Sequence, residues 1–155
     1  MMHVVLIEPE IPWNTGNIGR TCLAAGVRLH LVGRLGFHLD SPELKRAGLD
    51  YWGKVDWVHH VTWEDFLKTL QDLSQLYFLS TRGQRSLWDM KVQDHSYFIF
   101  GKETAGFPKY FYERYQDQLF KIPQYSDAIR SLNLSTSVGI VIYEALRQQN
   151  QNKIQ

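Results

Sequence analysis

The sequence is poor in the residues that define several common protein classes. Cys22 is the only cysteine among 155 residues, so the chain forms no internal disulfide and no thiolate zinc site. It also lacks a basic excess, since 17 Lys and Arg residues face 16 Asp and Glu residues for a net charge of +1. Freestanding DNA-binding domains usually show that excess. Any contact with nucleic acid must therefore come from a local patch, or from a surface completed by a second subunit.

Long hydrophobic runs are also scarce. The apolar run that opens the chain, residues 4–7, is too short for a signal peptide or a membrane span. Because the single cysteine suits a reducing compartment, we expect a cytoplasmic protein.

Several catalytic signatures are absent too. The chain has no G-x-G-x-x-G dinucleotide fingerprint, no P-loop and no G-x-S-x-G elbow of Ser-His-Asp hydrolases. The pair His59-His60 has no third ligand at metal spacing, so we expect no metal site. A nucleotide-binding oxidoreductase of similar layout stays open as an alternative, although the missing fingerprint argues against it.

What the chain does have is an alternation of short apolar runs with helical patterns. We predict one domain over residues 1–150 and a flexible tail over 151–155. Predicted strands cover residues 4–7, 29–32, 55–58, 76–79, 97–100 and 119–122. Predicted helices cover residues 14–25, 44–47, 63–73 and 134–148, with Asn14 and Thr62 as N-caps and Gly26 closing the first helix. This order indicates an α/β fold, with a mainly parallel sheet and helices on both faces.

Ligands of such sheets bind beyond the carboxyl ends of the strands. Three loops there carry unusual residues. Residues 14–20 open a helix, where free N–H groups suit anions. Residues 101–106 place Glu103 between two glycines that permit close backbone approach to a ligand. Residues 126–137 gather Ser, Asn and Thr before the last helix. Taken singly, each of the first two loops fits an ordinary turn at a helix start at least as well. In the third loop, capping explains only one of the polar residues, and a loop that holds a nucleoside explains the others better.

The last predicted helix is apolar on more than one side. One stripe at helical spacing is extended around the cylinder by a second group of apolar residues. The stripe holds Leu134, Val138, Val141, Ile142 and Ala145, and the second group holds Ile140, Tyr143 and Leu146. A surface helix shows one stripe only. The helix is therefore either deeply buried in one core or packed by its second face against a partner subunit.

Taken together and in order, the three loops resemble the motifs of the SPOUT RNA methyltransferases. They read Asn-x-Gly-Asn-Ile-x-Arg (14–20), Phe-Gly-x-Glu-x-x-Gly (100–106), and Ile-Pro followed by Arg-Ser-Leu-Asn-Leu-Ser (122–135). Residues 8–18 and 46–51 are similar to the minimal TrmL/YibK-like subfamily. Its members methylate the ribose 2′-oxygen of the wobble cytidine or uridine, nucleotide 34, of certain leucine tRNAs.

The resemblance covers nearly the whole chain and implies a function. We expect a tRNA 2′-O-methyltransferase that uses S-adenosylmethionine (AdoMet) and releases S-adenosylhomocysteine. We also expect a homodimer and a trefoil knot in the carboxyl-terminal half. Because the catalytic fold starts at residue 3, tRNA is favoured over ribosomal RNA. Methylation of another RNA such as rRNA, and a non-catalytic RNA-binding dimer, stay open as alternatives.

The resemblance also implies roles for single residues. Arg20 matches the family's catalytic arginine, which would face the cofactor pocket of the other subunit. Asn14, Tyr143 and Glu144 match positions near RNA or the dimer contact. The AdoMet pocket would use Leu79, Gly101, Ile122 and Ser131, with their neighbours Thr81, Glu103, Gly106, Leu132 and Asn133.

Overall fold

The computed structural model describes residues 1–47 and 51–153. Within these residues the chain forms seven strands and five helices. The strands are β1 (His3–Ile7), β2 (Arg28–Val32), β3 (Trp57–His60), β4 (Leu76–Leu79), β5 (Arg85–Ser86), β6 (Tyr97–Phe100) and β7 (Leu119–Lys121). The helices are α1 (Pro12–Ala25), α2 (Pro42–Ala47), α3 (Trp63–Leu67), α4 (Lys109–Arg114) and α5 (Leu134–Lys153). Short 3₁₀ turns join several of them.

All seven strands belong to one sheet in the order β3-β2-β1-β6-β4-β7-β5. Every strand pairing in it is parallel, which confirms the predicted α/β class. Strands β2 and β3 lie on one side of β1, and strands β4 to β7 lie on the other. The strand order therefore switches between β1 and its neighbour β6. Ligand sites of open parallel sheets lie beside such a switch point. The trefoil knot implied by the resemblance is consistent with this strand order and stays a prediction.

Helices cover both faces of the sheet, as predicted. On one face α1, α2 and α5 bury Ile18, Leu44 and Val138 against the strands. On the other, α3 and α4 bury Phe66 and Phe111. Each of these side chains contributes about 1.5–3 kcal/mol when fully buried. Because both faces are covered, the strands are apolar at successive positions rather than alternating.

The first helix begins earlier than its N-cap prediction. Asn14 was predicted as the cap, but α1 starts at Pro12 with Ile11 in the cap position and no side-chain cap. Proline suits the first turn because its missing N–H has no partner there. The predicted C-terminal stop is confirmed, since Gly26 adopts a left-handed φ of 68° and its N–H bonds back to the helix.

Other boundaries also differ from the sequence predictions. The Thr62 cap is confirmed, because its side chain accepts a hydrogen bond from the N–H of Asp65. That helix, however, ends at Leu67 rather than residue 73. The N–H of Leu70 bonds three residues back to Leu67, which tightens the chain into a turn. In another tight turn, the N–H of Val55 donates to the carbonyl of Trp52. Strand β3 therefore begins at residue 57 rather than at the predicted residue 55.

Further differences lie in the carboxyl-terminal half. Strand β5 and helix α4 were not predicted, and at two and six residues both are too short for a clear periodicity. Strand β7 ends at Lys121, one residue early. Helix α5 continues to Lys153, past its predicted end, so the flexibility expected for residues 151–155 stays a prediction. Part of the motif at 46–51, residues 48–50, lies outside the described residues. None of the described helices has the length and hydropathy needed to cross a bilayer.

Candidate functional site

A cleft of about 370 Å³ opens at the carboxyl ends of β4, β6 and β7. Its volume is typical of small-molecule sites, which span about 300–1,000 Å³. All nine residues predicted for the cofactor line it, as does Asn14. They are Leu79, Thr81, Gly101, Glu103, Gly106, Ile122, Ser131, Leu132 and Asn133. Three loops that are far apart in sequence therefore meet at one place, because parallel strands end at the same sheet edge.

Glycine backbone forms the narrowest part of the cleft. A Cβ placed on Gly101 would lie 2.4 Å from the carbonyl carbon of Gly106, and Gly106 itself has a φ of 68°. A Cβ on Gly83 would lie 2.5 Å from the carbonyl carbon of Phe120. No side chain fits at these distances, so the loop after β6 folds back on itself, and the loop after β4 packs on β7, through backbone alone. Gly83 was missed by the sequence analysis, because nothing local distinguishes it from an ordinary turn glycine.

Glu103 caps helix α1 from another loop. Its carboxylate accepts hydrogen bonds from the N–H of Glu10 at 2.9 Å, the N–H of Ile11 at 3.2 Å and Nδ2 of Asn14 at 3.4 Å. Glu103 thereby satisfies the backbone N–H of the N-cap residue Ile11 and of the residue before it. The sequence suggested that this helix end would hold a ligand anion. In the structure, the protein's own carboxylate fills that role.

Glu10 returns the contact in the opposite direction. Its Oε1 accepts hydrogen bonds from the N–H and the hydroxyl of Thr104, at 3.0 and 2.7 Å. These bonds hold the pKa of Glu10 below its usual value. Two carboxylates thus join the loop before α1 to the loop after β6, and we call this reciprocal pair the clasp. Glu10 and Thr104 were not singled out in the sequence, since both look like surface residues.

Asn14 and Asn133 extend this network to the last helix. Oδ1 of Asn14 accepts a hydrogen bond from Nδ2 of Asn133 at 3.1 Å. Oδ1 of Asn133 in turn accepts from the N–H of Ser135 and of Thr136, which makes Asn133 the cap of α5. The starts of α1 and α5 and the loop after β6 are consequently held as one unit around the cleft.

Comparison with known proteins agrees with this arrangement. The model of the SpoU rRNA Methylase family matches residues 1–143. This chain belongs to the SpoU methylase family. A member from Saccharophagus degradans, named tRNA (cytidine(34)-2′-O)-methyltransferase, is 44% identical over 151 residues, which are 96% of each chain.

Two solved structures superimpose closely on this one. A structure from work on the 2-OH methylation of C/U34 on tRNA has a TM-score of 0.90 and 43% identity, with 97% of each chain covered. An AdoMet-bound rRNA methyltransferase from Sinorhizobium meliloti has a TM-score of 0.82 and 29% identity. That comparison covers 94% of this chain but 56% of the longer rRNA enzyme.

Three of the predicted residues lie outside the cleft of their own chain. Arg20 is exposed on α1, with its guanidinium carbon 5.8 Å from the centre of the Tyr51 ring. Tyr143 is also exposed, at 56% of its surface.

Glu144 is buried, and its carboxylate accepts hydrogen bonds from Arg147 and from Gln148. These bonds, chiefly those from Arg147, hold its pKa below the usual value. Glu144 therefore holds the side chains of Arg147 and Gln148 near the end of α5. Its neighbour Tyr143 faces solvent.

A second cluster of polar side chains lies away from the cleft. Nδ1 of His3 is 2.9 Å from Nε2 of His30, and Nδ1 of His30 is 3.0 Å from Nε2 of His60. We call this row across β1, β2 and β3 the histidine chain. The sequence did not reveal this row, because His3, His30 and His60 are brought together only by the pairing of their three strands. Among the described residues, no group of His, Cys, Asp and Glu has the geometry to hold a metal ion.

Burial decides the protonation of the histidine chain. It lowers the pKa of His3 to about 4 and that of His30 to about 3, and it also lowers the pKa of His60. The rings are therefore neutral near pH 7, and each contact needs one N–H from one of its two rings. Three neutral rings can make both hydrogen bonds, whether the N–H groups donate from His3 towards His60 or from His60 towards His3. Both contacts are therefore satisfied within the histidine chain itself.

Proposed function

We propose that this protein transfers a methyl group from AdoMet to the ribose 2′-hydroxyl of nucleotide 34 in tRNA. The observation that carries the proposal is the meeting of the three motif loops around one cleft. Gly101 and Gly106, which lie on one of these loops, both line the cleft. Membership of the SpoU methylase family and the functions named for its close members support the same conclusion.

The residues of the cleft fit AdoMet by their chemistry. Leu79, Ile122 and Leu132 are apolar and suit the faces of an adenine ring. The backbone at Gly101 and the side chain of Ser131 offer hydrogen-bonding groups for the base edge and the sugar hydroxyls. When bound, AdoMet supplies a methyl group that its cationic sulfur has already activated. The protein's task is then to place the ribose oxygen in line with that methyl group.

Orientation accounts for much of such a reaction. Holding two reacting atoms in the productive geometry lowers a barrier by up to roughly 7–11 kcal/mol. Arg20 is the residue that we expect to complete this geometry. A guanidinium stays protonated at neutral pH and is therefore a poor general base there. We therefore propose that Arg20 holds a phosphate or stabilises the developing alkoxide, and that the proton leaves through phosphate or water.

A homodimer would bring Arg20 to a cleft. Arg20 does not line the cleft of its own chain, and it shares the outer surface of α1 with Trp13, which is 47% exposed, and Leu23, which is 36% exposed. Tyr143 on α5, the helix beside α1, adds a further exposed apolar surface. We propose that two copies pack through α1 and α5, so that Arg20 of one copy reaches the cleft of the other.

The favoured substrate is tRNA rather than rRNA. The tRNA methyltransferase from Saccharophagus degradans is 44% identical to this chain, whereas the Sinorhizobium meliloti rRNA methyltransferase is 29% identical. Within tRNA, we propose the wobble cytidine or uridine of leucine tRNAs, in line with the resemblance of the opening motif. A tRNA substrate also supports a cytoplasmic location.

Methylation of unmodified tRNA transcripts tests the function. The purified protein, AdoMet and a set of transcripts are incubated, and mass spectrometry of nuclease fragments locates any 2′-O-methyl group. We expect it at nucleotide 34 of leucine tRNAs. Methylation at another position or in rRNA would overturn the substrate assignment. Binding of tRNA without methyl transfer, and without heat on titration of AdoMet, would instead indicate a non-catalytic RNA-binding dimer.

A further inference from the structure

The charged residues that line the cleft are mostly cations. Arg82, Lys102 and Arg130 face a single acid, Glu103. The carboxylate of Glu103 already accepts three hydrogen bonds from the start of α1. AdoMet has one carboxylate, one ammonium and one sulfonium and is therefore cationic overall. Three cations match such a cofactor poorly, but they match a polyanion that lies over the mouth of the cleft.

Arg82 is the most firmly placed of these cations. Its guanidinium carbon lies 4.7 Å from the centre of the Tyr112 ring, and the hydroxyl of that ring accepts a hydrogen bond from the N–H of Phe107. Its backbone N–H donates to Oγ of Ser80 within a tight turn, and Gly83 packs that turn against β7. A guanidinium stacked on an aromatic face keeps its N–H edge free for an anion. Neither ion pair found among the described residues involves Arg82.

An aromatic side chain accompanies these cations. Tyr125 is 90% exposed and lies beside Gln124, which lines the cleft, on the loop that leads to Arg130. Unpaired RNA bases stack on exposed aromatic rings of this kind. The cleft is therefore lined by cations that suit phosphates, and the residue after its lining residue Gln124 offers a ring that suits a base.

We propose that Arg82, Lys102, Arg130 and Tyr125 form a docking surface for single-stranded RNA, the cleft rim. Arg82 binds a phosphodiester next to the nucleotide whose ribose enters the cleft, and Tyr125 stacks on a neighbouring base. This assignment rests on the proposed function, since it names the residues that hold the RNA substrate.

Salt dependence of RNA binding tests the role of Arg82. The probe is an anticodon stem-loop RNA of a leucine tRNA, titrated in the presence of S-adenosylhomocysteine. Each phosphate contact contributes about 0.7–0.9 to the slope of log K against log salt concentration. Arg82→Ala should therefore weaken binding about fivefold or more and lower the slope by about 0.7. Arg114→Ala is the matched control, because Arg114 lies 5.9 Å from a tyrosine ring but outside the cleft.

Tyr125 has a different signature. Tyr125→Ala should weaken RNA binding about tenfold, as the loss of one stacked base does, and should leave the salt slope unchanged. Tyr125→Phe keeps the ring and should bind like the wild type. An equal loss in both variants would overturn stacking as the role of this residue.

The remaining outcomes separate the possible anions and the two proposals. If Arg82→Ala weakens AdoMet as much as it weakens RNA, the anion is the cofactor's carboxylate and the cleft rim is wrong. If the wild type methylates tRNA but Arg82→Ala and Arg114→Ala bind RNA equally, the cleft rim is again wrong while the function stands. If the wild type neither binds nor methylates tRNA, the proposed function fails first.

Discussion

The cleft and the histidine chain both gather polar groups from neighbouring strands, but those groups are satisfied in different ways. In the histidine chain, His3 and His30 are buried and each contact is made within the protein, at 2.9 and 3.0 Å. Around the cleft, the clasp and Asn133 hold the loops together, while glycine backbone and exposed residues such as Ser131 still face open space.

This difference distinguishes a structural cluster from a binding site. Three histidines at hydrogen-bonding distance resemble a catalytic or metal-binding site more than a row of glycines and serines does. Burial has nonetheless made the histidines neutral and mutually satisfied. The cleft combines space for a ligand with polar groups that have remaining capacity. Open volume and remaining capacity together, rather than residue type, mark the functional region.

The largest expected effect concerns the cleft's backbone. Gly101→Ala places a Cβ 2.4 Å from the carbonyl carbon of Gly106, and only movement of backbone can relieve that clash. We expect AdoMet affinity to fall more than about a hundredfold, and the free energy of unfolding to drop by about 1–3 kcal/mol. Calorimetry and urea denaturation measure the two effects. Gly53→Ala, where a Cβ meets open space, is the control. Wild-type AdoMet affinity in Gly101→Ala would show that the cleft is not the cofactor site.

The next largest effect is expected from substitution of Arg20. It tests whether a residue that does not line the cleft of its own chain takes part in methyl transfer. Arg20→Ala should slow methyl transfer by two or more orders of magnitude, on the order of 3 kcal/mol. AdoMet affinity should stay within about threefold of the wild type, which is well under 1.4 kcal/mol. Arg20→Lys should not rescue fully, because a point charge cannot replace a planar fork. Single-turnover rates and calorimetry provide both readouts.

The exposed Arg34 supplies a matched control, since Arg34→Ala also removes a surface cation outside the cleft. A near wild-type rate in Arg20→Ala would show that Arg20 is only structural. Loss of AdoMet binding in step with activity would instead place Arg20 at the cofactor.

The histidine chain should appear in stability rather than in activity. The folded pKa values of His3 and His30, about 4 and about 3, lie below the ordinary value of 6.5. The unfolded chain therefore binds more protons below pH 6.5, so stability is present above that pH and is lost as the pH falls towards 4 and 3. At pH 5 the loss is about 2 kcal/mol for each ring. Urea denaturation at pH 8, 6.5 and 5 measures it.

A variant separates the histidine chain from general acid effects. His30→Gln removes the most strongly shifted ring and should reduce the loss of stability between pH 6.5 and 5. It should also lower stability at pH 8 by about 1–3 kcal/mol, because buried partners lose hydrogen bonds. His38→Gln, at an exposed histidine, should leave both values unchanged. If His30→Gln retained the full acid loss, the histidine chain would not be its source.

The smallest effect is expected at the clasp. Thr104→Val removes the 2.7 Å hydroxyl contact with Glu10 and keeps the size of the side chain. We expect a loss of about 1 kcal/mol of stability, because the bond is charge-assisted but lies near solvent. Thr104→Ser keeps the hydroxyl and should lose less. Thermal unfolding of the two variants and the wild type provides the comparison, and equal melting temperatures for all three would argue against the clasp.

Much of the fold was readable from local patterns. The apolar runs at residues 76–79 and 97–100 match β4 and β6 because a strand buried on both faces must be apolar throughout. Gly26 stops α1 and Thr62 starts α3 through chemistry confined to a few residues. Boundaries failed where a turn competed with the pattern, as at Leu67 and Val55.

The candidate site was predicted unevenly for the same reason. The resemblance selected nine residues that the structure brings around one cleft, because each belongs to a recognisable local motif. Their cofactor role stays a prediction. Glu10, Thr104 and Gly83 were missed, since each matters only through a partner on a distant loop. The Glu103 carboxylate was ambiguous between ligand and backbone until its partners on α1 were known.

The sequence by itself determined the α/β class, the order of most elements and the loops that carry the motifs, because these follow from short-range periodicity and capping. Only the tertiary structure decided which polar groups are available. Pairing of β1, β2 and β3 aligned His3, His30 and His60, and burial then lowered their pKa values. The meeting of the loops that follow β4, β6 and β7 formed the cleft. Both outcomes depend on distances between residues far apart in the chain, which no local pattern specifies.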